Sequence, residues 1–388
     1  MRKAADACAA AGHHVLVLYS FCTRWASESD RQIFVQKRWD VEQIGGDPEL
    51  QWWTYHLTRA LRRIDEAFIG SAASMCRAYP AFFRKGIGWK PDIVIGHNPG
   101  TLGLLSAFKA ALGVPVFFDA EDFHRGEVHR DSKHARRIQE LEDKAIPQLT
   151  AMTAASPLIA QEYSQLYPQA PVLNIQNTFP KALQQKEPTT RFDASGRLRL
   201  VWFSQVVGLD RGLEEFLKGM AIAKDVPISL SIVGTCSDQV QAILQGLVSS
   251  SAHKVRFYPL MPEPELFRFI QNHDIGLALE VPTVRNRDLC LTNKVFAYTL
   301  CGCSLLLSRT SSQVDFFKRH PQIGHLIDLE HPIEIAKVLT QVSSHPDTLL
   351  EQRRAAWTLG NDMYNWDLEG PKLVKWVESW ASQLRNRR

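Results

Sequence analysis

Short apolar runs separated by helical stretches recur along the whole chain, and this alternation restricts the fold more than any other feature. Residues 2–11 have helical character, with several alanines and a stop at Gly12. Val15–Ser20 (VLVLYS) reads as a short buried strand, and a long helical region is expected around Thr54–Tyr79. A Pro-Asp turn precedes a strand at Ile93–Gly96, and Val114–Phe118 supplies the next. A charged helix is expected over residues 132–145, followed by strands within LTAMTAAS and VLNIQN. Strands joined through helices are too far apart in sequence for hairpin pairing, so they assemble into a parallel, doubly wound sheet.

Residues 181–197 (KALQQKEPTTRFDASGR) break the alternation. They are polar and contain Pro188 and Gly196, as suits an interdomain linker. The alternation then restarts, with strands expected at Leu198–Phe203, Ile228–Val233, Val255–Tyr258, Ile275–Glu280 and Ser304–Leu307. Helices are expected from Arg211 and over residues 263–272, 292–300 and 311–319. In PKLVKWVESWASQL, apolar residues at 373, 374, 377, 380 and 384 fall near helical spacing. The expected fold class is therefore α/β, with two Rossmann-like doubly wound domains facing a cleft. The first spans residues 1–180 and the second 198–370; a final helix, 371–388, crosses back to the first. Ligands of such sheets bind outside the carboxyl ends of the strands.

Composition narrows the function. With 388 residues, two to three domains are expected. Apolar residues at 45% and charged residues at 22% exclude a mostly disordered chain or a coiled-coil rod. Lys and Arg number 45 against 41 Asp and Glu, and a net charge of +4 argues against a nucleic-acid binder. No apolar run is long enough to span a membrane, and the amino end, MRKAADACAAAGHH, lacks the apolar core of a signal peptide. The seven cysteines form no CxxC pair and no zinc-spaced cluster, so no metal is expected. Cys301 and Cys303 read as buried thiols beside a turn, and reduced thiols fit a cytoplasmic protein.

The chain lacks GxGxxG and GxxxxGK[ST], which argues against a dinucleotide enzyme or a P-loop NTPase. Two other stretches could hold phosphate. In Ser204-Gln205-Val206-Val207-Gly208-Leu209-Asp210-Arg211-Gly212 a strand gives way to a turn and then a helix, so amides near Gly208 and the Arg211 guanidinium could converge on a diphosphate. An ordinary turn with a solvated Arg211 is the plainer reading. In Leu291-Thr292-Asn293-Lys294-Val295-Phe296 a helix begins at Thr292 or Asn293; its free amides favour an anion, and Lys294 adds a charge. Thr292 as N-cap and Lys294 as surface charge is the plainer reading here. In the first half, Gly96-His97-Asn98-Pro99-Gly100 and the loop Asp119–Glu127 follow strands. The latter gathers Glu121, Asp122 and His124, groups suited to sugar hydroxyls or acid–base work.

These stretches carry a resemblance to a family. AGHHVLVL resembles "GHEVTVL", KPDIVIGHNPGTLG resembles "PDVIHAHD", and GVPVFFDAED resembles "PVVYDAHE". LVWFSQVVGLDRGLEEFL resembles "LVYVGRLxxxKGLExLI", TNKVFAYTLCGCSLLLS resembles "SNKLFEYLAAGLPVVAS", and YNWDLEGPKL resembles "YNWExExxKL". In order and spacing the chain resembles the group 1 (family 4) glycosyltransferases of the GT-B fold. The resemblance implies retaining, metal-independent transfer of a sugar from a nucleotide-diphosphate donor to a glycan or lipid-linked acceptor, as in surface polysaccharide synthesis. The only small molecule it implies is the donor itself, with no separate cofactor. Donor contacts then fall to Ser204, Gly208, Arg211, Thr292, Asn293 and Lys294, and acceptor-side contacts to His97 and Asn98. Arg211 and Lys294 would neutralise the diphosphate leaving group.

Three departures bear on activity. Where the family has the glutamate of "NKLFEY", which grips the donor ribose, this chain has Ala297; Glu280 is the substitute carboxylate considered. Where it has the histidine of "DAH[DE]", this chain has Glu121, with His124 three residues on. The family's first strand and glycine-rich loop, about 15 to 20 residues, have no counterpart before Met1, and a parallel sheet deprived of that strand loses ladder partners and buried area. A misassigned start codon would account for this. The departures keep two alternatives in view, a non-catalytic GT-B-like subunit and a nucleotide-sugar epimerase. Finally, Ala81–Lys90 (AFFRKGIGWK) interleaves aromatics and cations, which suits either peripheral contact with the inner face of a membrane or a helix end with its aromatics packed inward.

Overall fold

The computed structural model describes residues 1–23, 37–129, 131–189, 196–248 and 252–385. The chain divides into two compact units, one of Met1–Ile175 with the residues from Gly370 on, the other Gln176–Glu369.

In the first unit, β1 (Leu16–Tyr19) pairs in parallel with β2 (Asp40–Gln43). A separate parallel sheet holds β3 (Val94–His97), β4 (Val116–Ala120), β5 (Ala151–Ala154) and β6 (Val172–Asn174), in that order. Buried Phe117, Phe118 and Met152 show why β4 and β5 read as unbroken apolar runs: helices cover both of their faces. β2, with the sequence DVEQ, carries no apolar run and was not expected. Between the two sheets lies a cavity of about 690 Å³. Consecutive residues His13–Ser20 line one side of it, and residues 90–93 and 95–98 line the other. Side chains alternate across a strand, so lining by consecutive residues means that the strand edges themselves face the cavity.

The helical region expected at Thr54–Tyr79 is broken. The helix Trp52–Ile64 runs into a π turn, Asp65–Ile69, and stops at Gly70 with φ 66°. Ser71 then caps a short turn, its hydroxyl accepting from the amide of Ala73 at 3.1 Å and donating to Asp65 at 2.6 Å. A second helix, Tyr79–Trp89, follows. It turns the aromatics of the 81–90 segment inward: Phe83 lies 5.3 Å from Phe108, and Phe82 lines the cavity.

The second unit holds one six-stranded parallel sheet in the order β12-β11-β10-β7-β8-β9. The strands are β7 (Leu198–Val206), β8 (Ile228–Thr235), β9 (His253–Tyr258), β10 (Ile275–Ala278), β11 (Ser304–Ser308) and β12 (Gly324–Ile327). Every residue of β10 and β11 is buried. At the amino end of β10, Asp274 is wholly buried between two guanidiniums, Arg199 at 2.7 Å and Arg353 at 3.0 Å. Residues 184 and 185 of the expected linker are fastened to Trp357, whose indole N–H donates to the Gln185 carbonyl at 2.9 Å. The helices Pro332–Ser344 and Pro346–Asp362, absent from the sequence expectation, complete the unit. All seven cysteines are free, and burial pushes the Cys303 thiol up to about 12.

Candidate functional site

The strand order of the second unit reverses direction between β7 and β10, its first and fourth strands. Such a reversal opens a crevice at the carboxyl ends of those two strands. β7 ends in the turn that leads to Arg211, and β10 ends two residues before Glu280. The backbone of this turn is specific. Gly234, at φ 147°, lies so close to the Ser204 carbonyl that a Cβ would collide with it. Gly212, at φ 81°, opens the helix Leu213–Ile222 where a Cβ would fall 2.7 Å from Leu329. Asp210 is also left-handed, its amide donating to Glu214 at 2.8 Å and its carbonyl accepting from Arg287 at 3.1 Å.

Three groups separated widely in sequence meet in this crevice. Lys294 Nζ lies 3.0 Å from Glu280 Oε1, and Arg211 Nη2 lies 3.7 Å from the same oxygen. Lys294 is 5% exposed and Glu280 7%, so neither is a solvated surface charge. The ammonium also sits 5.4 Å from the Trp202 ring. Glu280 is fixed in turn by its amide, which donates to Ser308 Oγ at 2.9 Å. The Arg211 Nε is buried without a hydrogen-bond partner among the described residues. Two cations thus share one carboxylate, which aligns them and leaves a positive excess suited to an anion. Glu280 itself is engaged in holding these cations. Thr292 occupies the N-cap position of the helix Asn293–Cys301, but its side chain makes no capping bond. Asn293 is exposed, and Gly208 has open space where a side chain would be. Ser204 is half-buried near the end of β7. Ala297 is wholly buried, and its methyl offers no polar group to a ligand.

In the first unit, β3 and β4 end side by side, with His97 in register with Asp119. His97 Nδ1 lies 2.9 Å from Asp119 Oδ2 and 3.6 Å from Glu121 Oε1. Thr153 donates to the other Asp119 oxygen at 2.6 Å. Burial alone would lower the imidazole pKa, but the adjoining Asp119 and Glu121 carboxylates outweigh it and hold His97 above its ordinary value. The His97 ring beside it pulls Glu121 down; Asp119 is also lowered, its burial outweighed by the same ring. The amino group of Met1 lies 3.0 Å from Glu121. The ligand atoms of His97, Asp119 and Glu121 fall within 4.8 Å of one another, close enough to share a cation; a protonated His97 offsets one of the two carboxylates.

The other residues singled out in this half have different surroundings. His124 is buried, its Nδ1 2.5 Å from Glu127 and its ring against Phe118, so it does not join Glu121. Asp122 is half-buried. Asn98 spends its side-chain oxygen on the amide of Gly100 at 3.1 Å, while lining the cavity beside His97. Sequence reasoning passed over Asp119 and Thr153. The available signal was position, since His97 and Asp119 close adjacent strands.

Residues 1–178 match the model of the glycosyl transferase 4-like domain. No curated protein sequence matches the chain. Among solved structures, sucrose-phosphate synthase from Thermosynechococcus elongatus is similar with a TM-score of 0.69 at 12% identity, over 98% of this chain and 92% of that one. A glycosyltransferase from Rickettsia africae gives 0.68 at 10% identity, over 98% and 93%. HepE from Anabaena, solved with UDP, gives 0.66 at 11% identity, over 95% and 100%; it has also been solved with UDP-glucose. Identities this low establish the fold, and the family match covers the amino-terminal part. Residues 1–178 thus resemble the glycosyl transferase 4-like domain, and the chain as a whole has the GT-B fold.

Proposed function

We propose that the protein transfers a sugar from a nucleotide-diphosphate donor to a glycan or lipid-linked acceptor, with retention of configuration and without a metal. The observation that carries this reading is the buried Lys294–Glu280–Arg211 cluster at the strand-order reversal of the second unit. As the glycosidic bond to the diphosphate breaks, negative charge grows on the leaving phosphate. Cations already aligned and partly desolvated stabilise that charge without reorganising, and such preorganisation is often the largest catalytic term. The amides at the start of the helix Asn293–Cys301 add positive dipole. The likeness to HepE, which binds UDP-glucose, supports a nucleoside-diphosphate donor of this kind. On the first unit, His97, Asp119 and Glu121 offer hydrogen-bonding groups for acceptor hydroxyls. No helix among the described residues is long and apolar enough to cross a membrane.

One observation favours a second reading. Ala297 leaves the ribose without the carboxylate that the family resemblance implies, which suits a subunit that has lost turnover. A thermal-shift panel of UDP, GDP, ADP and CMP with their common sugar conjugates separates the two. Ligand at ~100 times its Kd stabilises the fold by ~2.7 kcal/mol. The transferase reading expects a shift with one diphosphate and its sugar conjugate, lost in Lys294→Ala, and release of that diphosphate when acceptor is added. No shift with any member of the panel overturns it. A shift without turnover leaves the non-catalytic subunit.

A further inference from the structure

The helix Trp52–Ile64 has no buried residue along its thirteen positions, although it is rich in apolar side chains. Trp53, Leu57, Leu61, Ile64 and, in the turn that follows, Phe68 lie at spacings of three and four residues and form one stripe. Each is more than half exposed, Trp53 at 81% and Phe68 at 84%. The opposite side rests on the protein. Thr58 donates to the Gly45 carbonyl at 3.1 Å, and the Arg77 guanidinium sits 4.8 Å from the Tyr55 ring while donating to Thr58 at 3.0 Å. A surface helix of a globular protein points its apolar stripe inward. This one points it outward.

We propose that this helix and the turn after it dock on an anionic lipid bilayer. The charge pattern selects that partner. Arg62 and Arg63 are exposed on the helix, which contains no acid, while Arg59 donates to the Tyr55 hydroxyl at 3.0 Å. The acids just beyond it are engaged, Asp65 with Ser71 and Glu66 with Arg137. An exposed stripe of tryptophan, leucine and phenylalanine flanked by exposed arginines is the arrangement of a helix lying in a membrane interface, where indoles sit at headgroup depth and guanidiniums meet lipid phosphates. The inference stands apart from the transferase reading, since it uses no residue of the donor or acceptor groups.

The test is co-sedimentation of the full chain with vesicles of phosphatidylcholine alone and of equal parts phosphatidylcholine and phosphatidylglycerol, at low and high salt, with gel filtration in parallel. The mixed vesicles should bind at least tenfold more tightly than the neutral ones, and salt should weaken the binding. Arg62→Gln should lower it roughly fivefold. The pair Trp53→Ser and Phe68→Ser should lower it tenfold or more with an unchanged far-UV circular dichroism spectrum. Failure of the wild-type protein to sediment with either vesicle overturns the proposal. So does binding that the serine pair leaves intact. A dimer that the serine pair dissociates, with no vesicle binding, assigns the stripe to a second copy instead.

Discussion

The second unit carries six parallel strands in one sheet, whereas the first divides its strands into a pair and a set of four with a cavity between. The difference reaches the chemical groups. Lys294 and Glu280 lie behind a continuous core and are almost wholly buried, while Glu121 of the first unit is exposed and β3 is buried only at Gly96. An unbroken sheet lets charged groups be held in a fixed arrangement at its edge. A divided one leaves its polar cluster open to solvent. A rigid cluster suits a partner of constant chemistry, such as a diphosphate, and an open one suits a partner of variable shape.

The comparison can be broken most directly through Asp274, wholly buried between Arg199 and Arg353 in the second unit. Removing one member of a buried ion network costs about 3–5 kcal/mol. Asp274→Ala should therefore shift one urea transition and leave that of the first unit in place; equal movement of both would show that the units do not differ in this way.

Next in size is the chemistry. Lys294→Ala should lower turnover by about 10²–10³, or ~2.7–4 kcal/mol of barrier, whereas His97→Ala should cost about tenfold, ~1.4 kcal/mol. Nucleotide affinity should fall in the first variant and hold in the second. Steady-state kinetics with separate donor and acceptor titrations check this, and equal donor effects would erase the division of labour.

Protonation should separate the units further. In the second, burial lowers His273 to about 4. The unfolded chain then binds the proton first, so this contribution is present above about pH 6.5 and is lost as pH falls toward 4, on the order of 3 kcal/mol. In the first, burial raises Glu142 to about 7. The folded form then keeps the proton, so that contribution is present below about pH 4.5 and is lost as pH rises through 7, again on the order of 3 kcal/mol. Unfolding curves between pH 4 and 8 should move in opposite directions for the two units. His273→Gln and Glu142→Gln should each flatten one of them. The smallest effect belongs to Trp53→Ser, which should change stability by no more than about 0.5 kcal/mol because the side chain is already exposed.

Much of this molecule is legible in the residues. Apolar runs at Leu198, Ile228, Ile275 and Ser304 mark strands because buried parallel strands need apolar side chains on both faces. β2 escaped because DVEQ is polar, and the region from Thr54 to Tyr79 looked continuous because the stop at Gly70 depends on one left-handed residue. Arg211 and Lys294 were visible as cations next to helix starts, and Glu280 as a carboxylate after a strand. Their union was not, since it depends on the adjacency of β7 and β10, whose strand order no local pattern encodes.

The sequence by itself determined the strand and helix alternation, the break between two α/β halves and the family resemblance, because these rest on local periodicity and on short motifs. Tertiary structure alone decided three things. It set Glu280 between Lys294 and Arg211, it turned His124 inward while setting Asp119 against His97, and it pointed the stripe of Trp53 outward while folding the aromatics of Ala81–Lys90 inward. Each depends on which side chains meet across elements distant in sequence, and that is fixed by packing.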